Sequence, residues 1–226
     1  MSEIRFRDVH HRYGERVVLD GIDLVLTEHR IGIVGANGSG KSTLARMING
    51  LVSPTSGSVT VDGLDAGRDG REVRRRVGFV FTDPDNQIVM PTVAEDVAFS
   101  LRRSGLTKPA IAARVAETLH RFHLAELADH PAHLLSGGQK QLLALAAVLV
   151  RRPAVLVADE PTTLLDLRNA RRVADVLAGL DEQLIVVSHH LDLLAEFDRV
   201  VVLDAGRVVA DGPPAAALPA YQGLYA

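Results

Sequence analysis

Apolar side chains recur along the 226-residue chain in two patterns, whose alternation predicts a mixed α/β fold. Short apolar runs bounded by turn residues indicate strands at residues 4–9, 17–26, 30–34, 58–61, 77–81, 154–158 and 184–188. Apolar positions at helical spacing indicate helices at residues 41–49, 93–103, 109–123, 136–150 and 168–180. Two further runs, at residues 199–203 and 207–210, indicate a closing hairpin. The tail after Gly212 is expected to be loosely ordered.

The centre of the chain lacks strand signals, which divides the sequence into a core and an insertion. Residues 84–150 carry helical periodicity in an alanine-rich stretch and are expected to form a helical subdomain. The α/β pattern occupies residues 1–83 and resumes in residues 151–226. The strand-rich N-terminal stretch indicates an antiparallel β edge. One α/β domain with an inserted helical subdomain is therefore expected over residues 1–226.

Composition and charge disfavour several classes of protein. The chain contains no cysteine, so it can form neither disulfides nor a thiolate zinc site. A net charge of −3 argues against nucleic acid as the main partner, because nucleic-acid binders usually carry a clear cationic excess. The longest apolar run, around residues 142–150, is much shorter than the roughly 20 residues that a spanning helix needs. Any association with a membrane is therefore expected to go through a partner.

A glycine-rich loop lies between the predicted strand at residues 30–34 and the predicted helix at residues 41–49. Its sequence is Gly35-Ala36-Asn37-Gly38-Ser39-Gly40-Lys41-Ser42-Thr43, with the glycine spacing and the Lys-Ser pair of a phosphate-binding loop. Backbone N–H groups of such a loop cradle nucleotide phosphates, and the following helix adds its positive dipole. Lys41 would then reach the β- and γ-phosphates, and the Ser42 hydroxyl would bind Mg²⁺. An ordinary glycine-rich turn is the alternative, which the agreement of strand, loop and helix disfavours.

Two carboxylates, Asp159 and Glu160, follow the predicted buried strand at residues 154–158. Ligands of α/β sheets bind at the carboxyl ends of the strands, where these side chains should lie. Asp159 is expected to bind Mg²⁺ either directly or through one of its ligands, and Glu160 is expected to be the general base that orients the water attacking the γ-phosphate. An acidic turn that caps the next helix would be the alternative for this pair taken alone.

The segment Leu135-Ser136-Gly137-Gly138-Gln139, called the signature segment, opens another predicted helix. Ser136 is a good N-cap, and the two glycines allow close backbone approach at a helix end that favours anions. A phosphate-binding loop, then this segment, then the strand end at residues 155–162 together resemble the ATPase domain of ABC proteins. The resemblance covers nearly the whole chain. It implies a RecA-like P-loop NTPase core that binds ATP and Mg²⁺ and hydrolyses the ATP.

The resemblance also implies roles for residues outside these motifs. Tyr13 lies where the family places an aromatic ring that stacks on adenine, with simple packing as the alternative. Asp166 fits the loop that crosses to a partner subunit, and His189 fits the histidine that contacts the γ-phosphate. In the family two subunits pack head to tail, and each ATP lies between the phosphate-binding loop of one and the signature segment of the other. The second subunit would be an identical copy or a close paralogue.

The segment Phe81-Thr82-Asp83-Pro84-Asp85-Asn86-Gln87-Ile88, with residues 92–97 after it, narrows the resemblance. It is similar to ATPases of energy-coupling-factor importers of vitamins and cobalt, and it leans toward biotin transporters. The family normally has glutamine at the position of Thr82, whose shorter side chain would contact Mg²⁺ through a water molecule. Gln87 has the missing amide and is expected to line the groove for the membrane subunit. A solvated loop residue is the alternative for Gln87.

The resemblance implies a peripheral subunit at the cytoplasmic face of the cell membrane. Its partners would be a transmembrane coupling subunit and a substrate-binding membrane subunit, and the latter would recognise the transported substrate. A soluble ABC ATPase without a transport role is one alternative, although the helical stretch is too short for tandem units or a long coiled coil. A module that binds ATP and barely hydrolyses it is another, favoured only by Thr82.

Overall fold

The computed structural model describes residues 1–224, in which the two apolar patterns form strands and helices. The strands are β1 Ile4–Tyr13, β2 Arg16–Leu26, β3 Arg30–Gly35, β4 Ser56–Val61, β5 Leu64–Asp65, β6 Val77–Val80, β7 Val155–Asp159, β8 Gln183–Val187, β9 Arg199–Asp204 and β10 Arg207–Gly212. The helices are α1 Lys41–Ile48, α2 Gly70–Arg76, α3 Val93–Phe99, α4 Lys108–Arg121, α5 Gly137–Leu149, α6 Leu167–Ala178, α7 Leu191–Leu194 and α8 Pro214–Gly223. Short 3-10 turns lie at Pro84–Asn86, Ala125–Leu127 and Ala132–Leu134.

The larger sheet has the strand order β10-β9-β3-β8-β7-β6. Strand β3 pairs in parallel with β8 and β9, and β7 pairs in parallel with β8, whereas β10 is antiparallel to β9. Every residue of β7 and β8 is buried. Strands covered on both faces need continuous apolar sequence, which these two have. The parallel strands β3, β7 and β8 end at one edge of the sheet, and the loops that follow them meet there.

The smaller sheet is antiparallel, with the order β2-β1-β4-β5. Its first two strands form a hairpin in which Tyr13 pairs with Arg16 at the turn end. Ile4, Phe6 and Val9 of β1 are buried. The alternation of apolar and polar positions in β1 is that of a strand with one covered face. This sheet is the antiparallel β edge that the N-terminal sequence pattern predicts.

The described chain divides into two compact units. The first comprises Met1–Phe79, Ala154–Glu160 and residues 181–224. The second comprises Val80–Pro153 and Pro161–Leu180, and holds helices α3 to α6. This second unit includes the whole of the predicted helical insertion, residues 84–150. It also contains residues 161–180, which the sequence pattern assigned to the α/β core. The assignment of residues 1–226 to a single ATPase domain stays a prediction.

Side-chain caps fix the first turns of the helices in the second unit. Thr92 and Glu95 form a reciprocal capping box at α3, and Ser136 and Gln139 form another at α5. Such boxes satisfy two backbone N–H groups that a helix start would otherwise leave unpaired. The signature segment therefore carries, in its own serine and glutamine, the local signal that starts α5.

The prediction of a loosely ordered tail after Gly212 is wrong, because α8 forms there. Its alanine-rich sequence has high helix propensity, and a proline in its first turn suits a helix start. Pro214 and Ala217 are buried, which anchors the helix.

Helix α2 was also not predicted, and α3 ends at Phe99 rather than near residue 103. Within residues 1–224 there is no helix with the length and apolar character needed to cross a membrane.

Candidate nucleotide site

The phosphate-binding loop connects β3 to α1 at the carboxyl edge of the larger sheet. Gly40 has a φ of +102°, and a Cβ there would lie 2.7 Å from the carbonyl oxygen of Val18, so only glycine fits without strain. Ser39 N donates to Ala36 O (3.1 Å), and Gly206 N donates to Ser39 O (3.2 Å). The Ser39 hydroxyl is buried and has no hydrogen-bond partner within residues 1–224. It is a polar group that a ligand oxygen could satisfy.

Lys41, the first residue of α1, directs its ammonium group back into the loop. Its Nζ donates to the carbonyl oxygens of Gly35 (2.8 Å) and Ala36 (2.9 Å), and only 7% of the residue is exposed. Burial lowers the pKa of Lys41, while the negative charges of Glu160 and Asp159 act in the opposite direction. In the described part of the chain Lys41 makes no ion pair. A buried ammonium group in this state favours an anion in the loop, and the phosphates of ATP fit this requirement.

Ser42 and Arg46 hold the carboxylate of Asp159 from two sides. Ser42 Oγ donates to Asp159 Oδ1 (2.8 Å), and Arg46 Nη2 lies 3.3 Å from Oδ2. Burial raises the pKa of Asp159, whereas the hydrogen bond from Ser42 and the charge of Arg46 lower it. A hydroxyl and a carboxylate are oxygen donors of the kind Mg²⁺ takes, and water and substrate phosphates commonly supply its other ligands. Residues 1–224 contain no group of three His, Cys, Asp or Glu side chains that could hold a metal ion.

Glu160 follows Asp159 in a left-handed backbone conformation, with a φ of +52°. Its N–H donates to the carbonyl oxygen of Val187 (2.9 Å), which fixes it to the end of β8. Left-handed conformations are uncommon outside glycine and cluster at functional sites. Glu160 Oε2 lies 2.8 Å from His189 Nδ1, and the two side chains are 16% and 48% exposed. The sheet edge thus holds a largely buried carboxylate beside an accessible imidazole, a pair able to accept and relay a proton.

Tyr13 and Arg16 lie at the turn end of the β1–β2 hairpin. The Tyr13 ring is 53% exposed, and its edge-to-face contact with the buried ring of His11 has a centroid distance of 4.6 Å. An exposed ring supported in this way can stack on a base. The guanidinium group of Arg16 lies beside the loop, with Nη2 3.1 Å from the position that a Cβ of Gly38 would take. Arg16 is exposed and has no ion pair among the described residues, so it is a second cation next to the loop.

The signature segment and Asp166 lie in the second unit. Gln139 N donates to Ser136 Oγ (3.4 Å), and Ser136 N donates to Gln139 Oε1 (2.9 Å). Asp166 caps α6, accepting from Asn169 N (2.9 Å) and from Asn169 Nδ2 (2.7 Å). The hydrogen bonds from the backbone and side chain of Asn169 lower the pKa of Asp166. The two hydrogen bonds hold the side chain of Asp166 in one orientation at the start of α6.

Thr82 and Gln87 lie in the loop that follows β6. Gln87 Oε1 accepts a hydrogen bond from Phe81 N (3.3 Å), so this side chain turns back toward the residue before Thr82. The same loop is tied to α5, because Lys140 Nζ lies 2.7 Å from Asp85 Oδ1. Both Thr82 and Gln87 are half-buried. Their contacts with Mg²⁺, water or a membrane subunit stay predictions.

The predicted site residues fall into two groups. The first unit holds Tyr13, residues 35–43, Asp159, Glu160 and His189, and the second holds Thr82, Gln87, residues 136–139 and Asp166. Three residues with direct contacts to these groups were not predicted: Arg16, Arg46 and Asn169. Arg46 lies one helical turn after Ser42, and Asn169 lies three residues after the N-cap Asp166. The first spacing places two side chains on one helix face, and the second places them in the first turn of a helix. These spacings could have indicated Arg46 and Asn169 from the sequence.

Comparisons with known proteins identify the family of the chain. The ABC transporter family matches residues 19–163. The biotin transport ATP-binding protein BioM of Rhizobium etli is 48% identical over 223 residues, which cover 99% of each chain. The energy-coupling factor transporter ATP-binding protein EcfA1 of Symbiobacterium thermophilum is 47% identical over 206 residues, covering 88% of this chain and 72% of that protein. The solved structure of CbiO1 from Clostridium perfringens, part of the ABC transporter complex cbiONQ, has a TM-score of 0.85 at 33% identity, covering 96% of this chain and 90% of that one.

The likeness to CbiO1 confirms the predicted α/β fold with a P-loop NTPase core. The family match and the two sequence relatives confirm ATP as the ligand and ATP hydrolysis as the activity. The chain belongs to the ABC transporter family and is an ATP-binding, ATP-hydrolysing subunit of the energy-coupling-factor type.

Proposed function

We propose that the chain hydrolyses Mg²⁺-bound ATP in a head-to-tail pair of ATPase subunits and thereby drives the import of a vitamin, biotin, through membrane subunits. The observation that carries the ATPase part is the cluster at the carboxyl edge of β3, β7 and β8. There, a buried ammonium group without an ion pair, a hydroxyl bonded to a buried carboxylate, and a carboxylate bonded to an imidazole lie together. These groups are what phosphate binding, metal binding and activation of a water molecule require.

Residues 35–43 bind the phosphates of ATP in this proposal, and Tyr13 stacks on its adenine. Lys41 exchanges its two carbonyl partners for phosphate oxygens, which relieves the burial of an unpaired charge. Ser42 and Asp159 hold Mg²⁺, which supplies positive charge against the phosphates when it is bound. Arg16, beside Gly38, adds a second positive charge to the same loop.

Glu160 is the proposed general base, which accepts a proton from the attacking water. Its side chain is largely buried and is held by His189, which restricts the orientation of the carboxylate. His189 has two ring nitrogens, one of which faces Glu160, and the other is available to a phosphate oxygen. Thr82 is proposed to reach Mg²⁺ through a water molecule, as a weaker substitute for glutamine.

The signature segment and Asp166 serve the ATP bound to the facing subunit. The start of α5 offers backbone N–H groups and a positive dipole, both suited to the γ-phosphate. The capping box between Ser136 and Gln139 keeps this first turn in place. An identical copy or a close paralogue would complete the pair equally well in this scheme.

Coupling to membrane subunits and the choice of biotin rest on the similar proteins. EcfA1 is named as an energy-coupling factor transporter protein, and CbiO1 as part of a transporter complex. The chain would accordingly be a peripheral subunit at the cytoplasmic face, with a transmembrane coupling subunit and a substrate-binding membrane subunit as partners. Gln87 belongs to the groove for the coupling subunit in this proposal. Similarity to BioM along nearly the whole of both chains supports biotin as the transported substrate.

Uptake of radiolabelled biotin by cells of the source organism tests the proposal. Replacing the chromosomal gene with the Glu160→Gln variant should reduce biotin uptake to background and leave cobalt uptake unchanged. The control is Glu117→Gln, which alters a side chain that is 68% exposed in the second unit and should leave both rates unchanged. Normal biotin uptake in the Glu160→Gln strain would refute biotin as the substrate, and a loss of cobalt uptake alone would assign the chain to cobalt.

A further inference from the structure

Asn169 connects Asp166 to the beginning of α6 through two hydrogen bonds. Its backbone N–H donates to Asp166 Oδ1 (2.9 Å), and its side-chain Nδ2 donates to Asp166 Oδ2 (2.7 Å). Both carboxylate oxygens of Asp166 are thus oriented by one residue. An N-cap needs only the hydrogen bond from the backbone N–H of Asn169. The second hydrogen bond, from its side-chain amide, therefore restrains the Asp166 carboxylate more than an ordinary helix start does.

The other side of the Asn169 side chain packs against the signature segment. A Cβ added at Gly138 would lie 2.8 Å from Cβ of Asn169 and closer still to its amide group. At Gly137 the first contact would be Leu165 Cδ2 at 3.7 Å, which is ordinary van der Waals contact. The two glycines are therefore not equivalent. Gly138 is required by a neighbouring side chain, whereas Gly137 has room for a methyl group within the subunit.

We propose that Asn169 is a positioning residue that joins the loop carrying Asp166 to the first turn of the signature helix, so that both are presented to the facing subunit as one element. The inference rests on the proposed function, in which both segments act across the subunit pair. It also assigns a reason for the second glycine of the signature segment: Gly138 is small because Asn169 occupies the adjacent space.

The amide geometry explains why the link needs asparagine. The NH₂ group donates to Asp166, and Oδ1 is the atom nearest to the position that a Cβ of Gly138 would take. An isosteric aspartate would keep the packing but would place a carboxylate against Asp166 and lose the donor. An alanine would lose both the donor and the packing. These two variants therefore separate the hydrogen bond from the steric fit.

The test is a second-site rescue, measured as the ATP hydrolysis rate of the purified chain at saturating Mg²⁺ and ATP. Gly138→Ala should lower kcat at least about tenfold, because the new methyl group displaces Asn169 or the start of α5. Asn169→Ala should lower kcat several-fold, since the two segments lose their connection. The double variant Gly138→Ala/Asn169→Ala should recover to the rate of Asn169→Ala alone. Alanine is otherwise favourable at this helical position, so nothing intrinsic to α5 should prevent recovery.

Two controls separate positioning from general damage. Asn169→Ala should not rescue Gly137→Ala, because Asn169 does not occupy the space beside Gly137. Asn169→Asp should lower kcat at least as much as Asn169→Ala. In all these variants the affinity of the chain for a fluorescent ATP analogue, measured under monomeric conditions, should stay within about twofold of the parent, because the phosphate-binding loop is untouched. A loss confined to kcat is a result that a merely folding-related role would not produce.

A double variant as inactive as Gly138→Ala alone, or a fully active Gly138→Ala, would overturn the inference. If Gly138→Ala is too unstable for kcat to be measured, rescue is measured as recovery of the melting temperature in the double variant. A double variant that melts no higher than Gly138→Ala would overturn the inference equally. If instead the proposed function is wrong, the parent chain itself would neither hydrolyse ATP nor form an ATP-dependent pair.

Discussion

His189 Nδ1 lies 2.8 Å from Glu160 Oε2, although the two residues are 29 positions apart in the sequence. Glu160 follows β7 and His189 follows β8 closely, and these strands are parallel neighbours. Parallel neighbours end at the same edge, which brings the two side chains together. When both ring nitrogens carry a proton, Nδ1–H donates to the carboxylate and Nε2–H can donate to a phosphate oxygen. The contact therefore orients the proposed base and the imidazole with one hydrogen bond.

Removing this imidazole should slow hydrolysis more than it weakens ATP binding. His189→Ala should lower kcat by about 10² or more, because the carboxylate of Glu160 loses the partner that fixes its direction. Phosphate release at saturating ATP measures this effect. His190→Ala is the matched control, since it removes the adjacent ring, whose centroid lies 4.2 Å from that of His189, and it should retain most of the activity. Equal losses in the two variants would contradict a specific role for His189.

Lys41 should be needed for binding ATP and not for folding. Lys41→Met removes the buried ammonium group, whose direct partners within residues 1–224 are the carbonyl oxygens of Gly35 and Ala36. Titration with a fluorescent ATP analogue should show a loss of affinity of at least about tenfold, because a charge-assisted bond to phosphate is lost. The melting temperature without nucleotide should stay the same or rise, since a desolvated charge has been removed. Unchanged affinity with impaired turnover would instead give Lys41 a role only in the transition state.

The buried side chain of Asp96 should make the free energy of unfolding depend on pH, whether or not nucleotide is bound. Its carboxyl is 3% exposed, and Oδ1 accepts from Val89 N (2.8 Å) and Met90 N (2.9 Å). Burial raises the pKa of Asp96 above 3.8, so the folded chain holds this proton more tightly than the unfolded chain. The contribution of Asp96 to the free energy of unfolding therefore falls as the pH rises from 3.8 through the raised pKa.

Asp96→Asn keeps the acceptor oxygen and cannot ionise. It should match or exceed the parent's free energy of unfolding at about pH 8, and the difference should shrink toward about pH 5. Asp96→Ala should be less stable than the parent by about 1 to 3 kcal/mol, because two N–H groups lose their acceptor. Urea unfolding at both pH values measures these effects. A growing advantage of Asp96→Asn at low pH would contradict the sign of the shift.

The local parts of this molecule could be predicted from the sequence because their signals lie within a few residues. The glycine spacing before Lys41 and the Ser136 cap indicate a loop and a helix start at the positions where the structure has them. The buried strand before Asp159 was predicted equally well, since continuous apolar sequence is typical of a strand covered on both faces. The tail was predicted wrongly, because α8 depends on its burial of Ala217 as well as on local propensity.

Contacts between distant segments could not be predicted in the same way. Arg46 reaches Asp159 across 113 positions, and the sequence alone does not show that α1 and β7 are neighbours. The packing of Asn169 on Gly138 likewise depends on how α5 and α6 meet, which no local pattern specifies. Within one loop, the hydrogen bond from Phe81 N to the side chain of Gln87 was not predicted either, because it depends on the loop conformation. The contact of Gln87 with a membrane subunit stays a prediction.

If Glu160 is the general base of ATP hydrolysis, the Glu160→Gln variant should bind ATP without hydrolysing it. ATP turnover and ATP binding are measured on the same purified sample. Turnover should fall by about 10² to 10⁴ and the affinity for ATP should be retained. ATP should now shift the chain to a stable pair in size-exclusion chromatography. Hydrolysis at the parental rate, with contaminating ATPases excluded by the Lys41→Met preparation, would contradict the role of Glu160 as the base.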